Sequence, residues 1–196
     1  MSGDDVIELF KRTGALLEGH FVLSSGLHSA VYLQCALVLQ HPAEAETLGQ
    51  ALAQKFHGKG IDTVASPAIG GLIIGHEVAR ALGGRFIWTE RDGDGRMTLR
   101  RGFTVRPGEN ILVVEDVITT GGSTRETIEA LTSVGALITS AATIIDRSAG
   151  RADVGVPLVA LATLEVPSVT AAVCESCARG EIAIKPGSRK TVMSDT

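Results

Sequence analysis

The chain has 196 residues, enough for one domain with a full core, and is 44% hydrophobic but only 4% aromatic. Its formal net charge of −4 offers no basic surface that would make nucleic acid the main partner. Cys35, Cys174 and Cys177 form an odd, scattered set, which fits a reducing compartment better than a disulfide framework. No apolar run is long enough to span a bilayer, and the acidic opening Met1-Ser-Gly-Asp-Asp5 does not read as a signal peptide, so a cytoplasmic protein with no membrane partner is expected.

Residues 6–12 read as a short amphipathic helix. Residues 19–34 give two strand-like runs around a Ser24-Ser-Gly26 turn, and His41-Pro42 stops the second. A helix is expected over 43–57, with Gly58 and Gly60 beyond its end. A short strand at 62–66 turns through Pro67-Ala-Ile-Gly-Gly71 into an apolar helix at 72–82, closed by Gly83-Gly84. Another strand covers 85–89, and the glycine-punctuated, charged loop 90–103 has the composition of a lid or of a solvated hairpin.

Next comes the most informative stretch. Apolar residues 111–114 end in two adjacent acids, Glu115 and Asp116, followed by a Thr/Gly turn and a helix running from Thr124 to Gly135. Ser123 and Glu126 have the spacing of a capping box. A buried strand is expected at 138–145, stopping at Asp146-Arg147, then a strand at 157–164 and a short helix at 166–179. That helix holds Cys174-Glu-Ser-Cys177. One C-x-x-C without a second pair or a neighbouring histidine in the sequence is weak evidence for zinc, so no metal ligands are assigned.

A strand running through a Gly/Thr turn into a helix start has the makings of a phosphate site, because unpartnered N–H groups and the helix dipole favour an anion. Gly121 and Gly122 allow close backbone approach, and Thr119, Thr120 and Ser123 add hydroxyl donors. It is not a P-loop, since no lysine lies between Lys59 and Lys185, and the G-x-G-x-x-G of a dinucleotide fold is missing. Carboxylates repel phosphate, so Glu115 and Asp116 should face ribose hydroxyls or a hydrated Mg²⁺. The turn at 67–71 is a second ready anion site of the same kind.

The stretch from Val113 to Ser123 resembles the phosphoribosyl-pyrophosphate (PRPP) signature of the type I phosphoribosyltransferases. Leu23, Ser25, Gly26, Ser29 and Tyr32 resemble the L-x-S-G-x-x-S-x-x-Y pattern of the orotate phosphoribosyltransferases. The wording Gly95-Arg-Met-Thr-Leu-Arg-Arg-Gly-Phe103 is similar to a bacterial and archaeal branch of those enzymes whose lid uses arginines.

The resemblance implies an α/β fold of the type I phosphoribosyltransferase kind, with a mostly parallel central sheet flanked by helices. It implies one domain, 1–196, with a core at about 41–147 and a small hood from 1–40 and 148–196. Glu115 and Asp116 would hold the ribose, and residues Val117, Ile118, Thr119, Thr120, Gly121, Gly122 and Ser123 would wrap the 5′-phosphate. Ala68 and Gly70 would lie along the pyrophosphate through their backbone alone, where known relatives have a lysine at the Gly70 position. Arg91, Arg96 and Arg100 would belong to the lid, Arg91 acting with the two acids in catalysis. Orotate would meet Arg147, Thr119, Ser25 and Tyr32. A guanidinium suits that task, since it pairs in a bidentate way with a carboxylate or a pyrimidine carbonyl. PRPP and orotate would be the substrates, Mg²⁺ the cofactor, and a homodimer with shared sites the assembly. A phosphoribosyltransferase for another base would keep the acids but lose the reason for Arg147. A non-catalytic PRPP-sensing regulator would need a nucleic-acid surface, which the net charge disfavours.

Overall fold

The computed structural model describes residues 1–23 and 25–185. Ser24 and residues 186–196 lie outside the described residues. By internal contacts the chain divides into two compact units, Met1–Ala15 with Cys35–Glu165, and Leu16–Gln34 with Val166–Thr196. The first unit therefore takes in the N-terminal helix and residues up to 165, a wider span than the expected core of 41–147.

The first unit is a six-stranded sheet. Its strands, in chain order, are β3 (Thr63–Pro67), β4 (Arg85–Arg91), β5 (Met97–Leu99), β6 (Asn110–Ile118), β7 (Leu137–Asp146) and β8 (Leu158–Thr163). They lie in the order β5-β4-β3-β6-β7-β8, all parallel except the edge strand β5, which pairs antiparallel with β4. This is the mostly parallel α/β sheet expected. Its central strands are apolar on both sides because helices cover both faces. Alternation along β3 and β6 divides the work. Ala65, Ile111 and Val113 pack with Ile128 and Leu131 of α5 (Gly122–Ser133) on one face. On the other face Ser66 meets α4 (Gly71–Leu82), at two glycines one turn apart. A Cβ on Gly71 would stand 2.9 Å from Val114 O, and one on Gly75 would stand 2.1 Å from Ser66 Oγ. Only glycine lets this helix lie so close to the strand ends. Beside α4 lies α3 (Pro42–Gln54), which also meets β7 and β8 and whose Gly49 abuts Glu77.

Several element ends differ from expectation, each for a local reason. The first helix, α1 (Gly3–Arg12), starts three residues early because Ser2 and Asp5 form a reciprocal capping box. A five-residue helix, α2 (Cys35–Leu39), is too short to show a periodic pattern. Strand β6 does not stop at Val114 but carries Glu115 and Asp116 within its pairing with β7, as far as Ile118. The Ser123–Glu126 capping box does not form. Gly121, in the left-handed region at φ 78°, takes the N-cap position instead, and no side chain caps it. The loop 90–103 is partly ordered as the β4–β5 hairpin.

The second unit holds β1 (Leu16–Val22) and β2 (His28–Leu33), the antiparallel pair expected there. The single helix expected at 166–179 is replaced by a 3₁₀ turn at Ala171–Val173 and a short α6 (Glu175–Ala178). Val169 is β-branched, follows Pro167 by two residues, and exchanges backbone hydrogen bonds with His28, so this segment is extended rather than helical. Among the described residues no helix is long and apolar enough to cross a membrane.

Candidate active site

The site residues of the first unit gather at the carboxyl ends of β3, β6 and β7, where open parallel sheets place their ligands. Because successive strand residues face opposite ways, the adjacent acids of β6 part company. Glu115 turns toward α5 and accepts a 3.3 Å hydrogen bond from Thr124 Oγ1. Asp116 turns toward the start of α4, where a Cβ on Gly70 would stand 2.8 Å from its Oδ1. Asp116 Oδ1 also accepts the Val117 N–H at 2.9 Å, and the Cys35 thiol lies against it. The groups that lower the pKa of the two carboxyls are neutral donors, Thr124 for Glu115 and the Val117 N–H and Cys35 for Asp116.

Burial, and then the neighbouring Asp116 charge, push Glu115 up to about 8, against the pull of the Thr124 hydroxyl. Burial also raises Asp116, opposed by the Val117 N–H and Cys35. Cys35 in turn is pushed well up by burial and by the Asp116 charge, so it stays a thiol and can donate to that carboxylate. Burial thus outweighs the hydrogen-bond donors at both carboxyls.

Beyond the acids, Val117 to Thr124 curl around a polar cavity of about 130 Å³ that Glu115 also lines. Gly121 turns the chain so sharply that a Cβ there would meet Val154 Cγ1 at 2.6 Å, on top of its left-handed backbone. With Gly121 as an uncapped N-cap, the first amides of α5 open onto the cavity and the Ser123 hydroxyl is not spent on a cap. This arrangement suits a dianionic phosphate.

Arg147 follows β7, its N–H donating 2.8 Å to Ile118 O, so its backbone is pinned to the end of the acid-bearing strand. The Asp146 carboxylate shapes the turn that follows, accepting the N–H of Ser148 at 2.7 Å and of Gly150 at 2.8 Å. Ala68 and Gly70 lie in the β3–α4 turn, where the Ala68–Ile69 peptide is cis and the Ala68 N–H is tied to Thr89 O at 2.8 Å. In the hairpin, Asp92 Oδ1 accepts the N–H of Asp94 and Arg96, and Arg96 pairs with Asp94 at 2.9 Å. Arg91 lies 2.7 Å from Glu126 of α5. Arg100 is the hairpin arginine with no carboxylate in ion-pair reach among the described residues. Ser25 and Tyr32 belong to the second unit. Ser25 sits in the β1–β2 turn, which Gly26 allows at φ 80°, and the Tyr32 ring is 5.7 Å from that of Phe21.

Three contributors escape a reading of the sequence. Thr124 and Cys35 bind the acids from elements whose approach no motif announces. Arg101 grips Glu90 with two bonds of 2.6 and 2.9 Å. With the Trp88 indole that grip holds Glu90 down at about 2, so Arg101 braces the hairpin root.

Residues 36–168 match the phosphoribosyl transferase domain family. The chain is 53% identical to the orotate phosphoribosyltransferase of Pelotomaculum thermopropionicum, over 97% of this chain and 100% of that protein. The chain belongs to the orotate phosphoribosyltransferase family. It is likewise 50% identical to the orotate phosphoribosyltransferase of Thermus thermophilus, over 90% of this chain and 96% of that protein. The crystal structure of orotate phosphoribosyltransferase from Aeropyrum pernix superposes with a TM-score of 0.68 at 29% identity, covering 82% of this chain and 94% of that one.

Glu115 should titrate near 8 in the ligand-free protein. Asp116→Asn removes a neighbouring negative charge, so the Glu115 titration should move down, while burial keeps it above the ordinary glutamate value of 4.5. Carboxyl-carbon NMR with labelled glutamate reads this directly. An unshifted Glu115 resonance titrating near 4.5 in the parent protein would contradict the buried-pair account.

Proposed function

We infer that the chain is an orotate phosphoribosyltransferase, which transfers the phosphoribosyl group of PRPP to orotate and yields orotidine 5′-monophosphate and pyrophosphate, a step of pyrimidine nucleotide (UMP) synthesis. Likeness to orotate phosphoribosyltransferases over nearly the full length carries the choice of base. The pairing of an acid-rich strand end with an uncapped helix start supports the ribosyl phosphate half. The unpaired cysteines support a reducing, cytoplasmic setting.

The reaction breaks the bond between the anomeric carbon and the pyrophosphate oxygen and forms one from that carbon to a ring nitrogen of orotate. Positive charge builds on the ribose in between, as in glycoside hydrolysis. Orotate arrives as an anionic nitrogen nucleophile, so no strong general base is needed. Asp116 and Glu115 accept the ribose hydroxyls and favour the developing cation by charge. A raised Glu115 is suited to the role, because ionisation becomes favourable only when a cationic or hydrogen-bond-donating partner arrives. Thr119, Thr120, Ser123 and the first α5 amides hold the 5′-phosphate, while the Gly70 backbone and the hairpin arginines face the pyrophosphate. Arg147 pairs with orotate. The two largely buried carboxylates, Glu115 and Asp116, would also suit Mg²⁺, which takes one or two carboxylates plus substrate phosphates. When bound, it neutralises charge on the leaving pyrophosphate.

Incubation with PRPP and Mg²⁺ should consume orotate and leave uracil, adenine and hypoxanthine untouched, as read by chromatography. Consumption of another base, or of none, would refute the assignment. With Arg147→Ala the KM for orotate should rise far more than that for PRPP, by about 1.5–3 kcal/mol for a lost charge-assisted pair. Equal effects on both substrates would make Arg147 structural.

We further propose a homodimer in which the β4–β5 hairpin serves the partner's site. Asp116→Ala protein mixed with Arg91→Ala, Arg96→Ala protein, under verified subunit exchange, should then recover about a quarter of wild-type activity, because half the dimers are mixed and each holds one intact site. No recovery would exclude shared sites.

A further inference from the structure

The strongest unassigned feature lies in the second unit, where the fold brings two histidines to the C-x-x-C that has none beside it in sequence. His20 of β1 and His28 of β2 join Cys174 and Cys177, and one ligand atom from each lies within 4.8 Å of the other three. We propose that His20, His28, Cys174 and Cys177 form a structural zinc site.

The hairpin explains half of the cluster. Val22 faces His28 across the pair, so His20, two residues earlier, is the diagonal neighbour of His28 on the same face of the ribbon. The chain returns to that face through the Val169–His28 bridge, which delivers Cys174 and the first turn of α6.

The hydrogen-bond pattern then fixes which atoms point inward. His20 Nδ1 is 3.0 Å from the Glu181 carbonyl oxygen, which can only accept. Nδ1 of His20 must therefore carry the proton, and in the neutral ring Nε2 is a bare lone pair. That lone pair lies 2.7 Å from His28 Nδ1, 3.5 Å from Cys174 Sγ and 3.6 Å from Cys177 Sγ. His28 Nδ1 is also 3.3 Å from Cys177 Sγ. Orientation of a ligating imidazole by a carbonyl on its other nitrogen is the usual outer-sphere support of a metal.

The distances suit a tetrahedral ion. Zinc bonds of about 2.0–2.1 Å to nitrogen and about 2.3 Å to sulfur give N···S edges of about 3.6 Å and an N···N edge of about 3.3 Å. Three of the four N···S separations, 3.5, 3.6 and 3.3 Å, are already near that edge. The two ring nitrogens, now 2.7 Å apart, would separate by about 0.6 Å, and no ligand pair lies beyond 4.8 Å. Two thiolates and two imidazoles with no carboxylate select zinc over magnesium or calcium, and four protein ligands close the shell, which marks a structural site rather than a catalytic one.

The second unit also needs such a clamp. Its sheet has two strands, and Phe21, Leu33 and Cys174 are its only buried apolar residues among those described. A two-stranded ribbon with so small a core is marginal on its own. The site would tie β1, β2 and the 174–177 turn together.

Co²⁺ titrated into the reduced, chelator-treated full chain tests this. Equimolar saturation is expected, with the strong visible bands of four-coordinate cobalt, a near-ultraviolet thiolate band, and displacement by equimolar Zn²⁺. Cys177→Ser should diminish the thiolate band, and both Cys177→Ser and His28→Ala should weaken binding by about a hundredfold or more. The parent spectrum decides the matter even if a variant misfolds. Weak six-coordinate bands, saturation short of equimolar, or folded variants that bind as the parent does would overturn the site. So would a Cys174–Cys177 disulfide in zinc-saturated protein.

Discussion

The site depends on the meeting of Gly70 with the Asp116 carboxylate, where any side chain at residue 70 would stand 2.8 Å from Oδ1. Around that contact the rest of the site is arranged. Gly71 and Gly75 let α4 lie against Ser66 of β3 and the Val114 backbone of β6, which brings the helix start over the strand ends. The same approach removes water from Asp116 and, on the opposite face, α5 removes it from Glu115. Desolvation raises both carboxyls, so that a cationic or hydrogen-bond-donating partner would favour their ionised forms. A lysine at residue 70 would supply a charge, but its Cβ would have to displace the Asp116 carboxylate.

At the other end of the sheet the electrostatics run the opposite way. Glu109 is almost fully buried, which alone would raise its pKa, yet Thr63, the Arg106 N–H and Arg85 together hold it down at about 2. Arg85 reaches it at 2.7 Å and also binds Thr104 O at 2.8 Å. The Glu109 carboxylate at the amino ends of the strands is paired and held ionised, whereas burial raises the two acids at the carboxyl ends. The contrast sets the acids apart by their partners, a cation and several donors for Glu109 against mainly burial for Glu115 and Asp116.

Much of this was legible from residue order. The parallel sheet follows from apolar runs that alternate with helices, and the phosphate turn follows from Thr119–Gly122 after a buried strand. What sequence could not give were the outcomes of competition between neighbours. Ser123 and Glu126 satisfy a capping pattern, but the left-handed Gly121 starts the helix first and Arg91 takes Glu126. The adjacent acids read as one pair, but the pleat sends them to opposite faces, each with its own partner. Cys174 and Cys177 looked solitary because their histidines lie some 150 residues away and arrive only through the β1–β2 hairpin.

The central claim is that the open amides at the start of α5, beside Glu115 and Asp116, grip the 5′-phosphate. Amide hydrogen exchange of residues 119–125, followed by NMR with and without ribose 5-phosphate, addresses it most directly. The account predicts that the ligand slows exchange at these amides and leaves those of 68–71 unchanged, since that turn is assigned to pyrophosphate. Protection at 68–71 with none at 119–125 would contradict it.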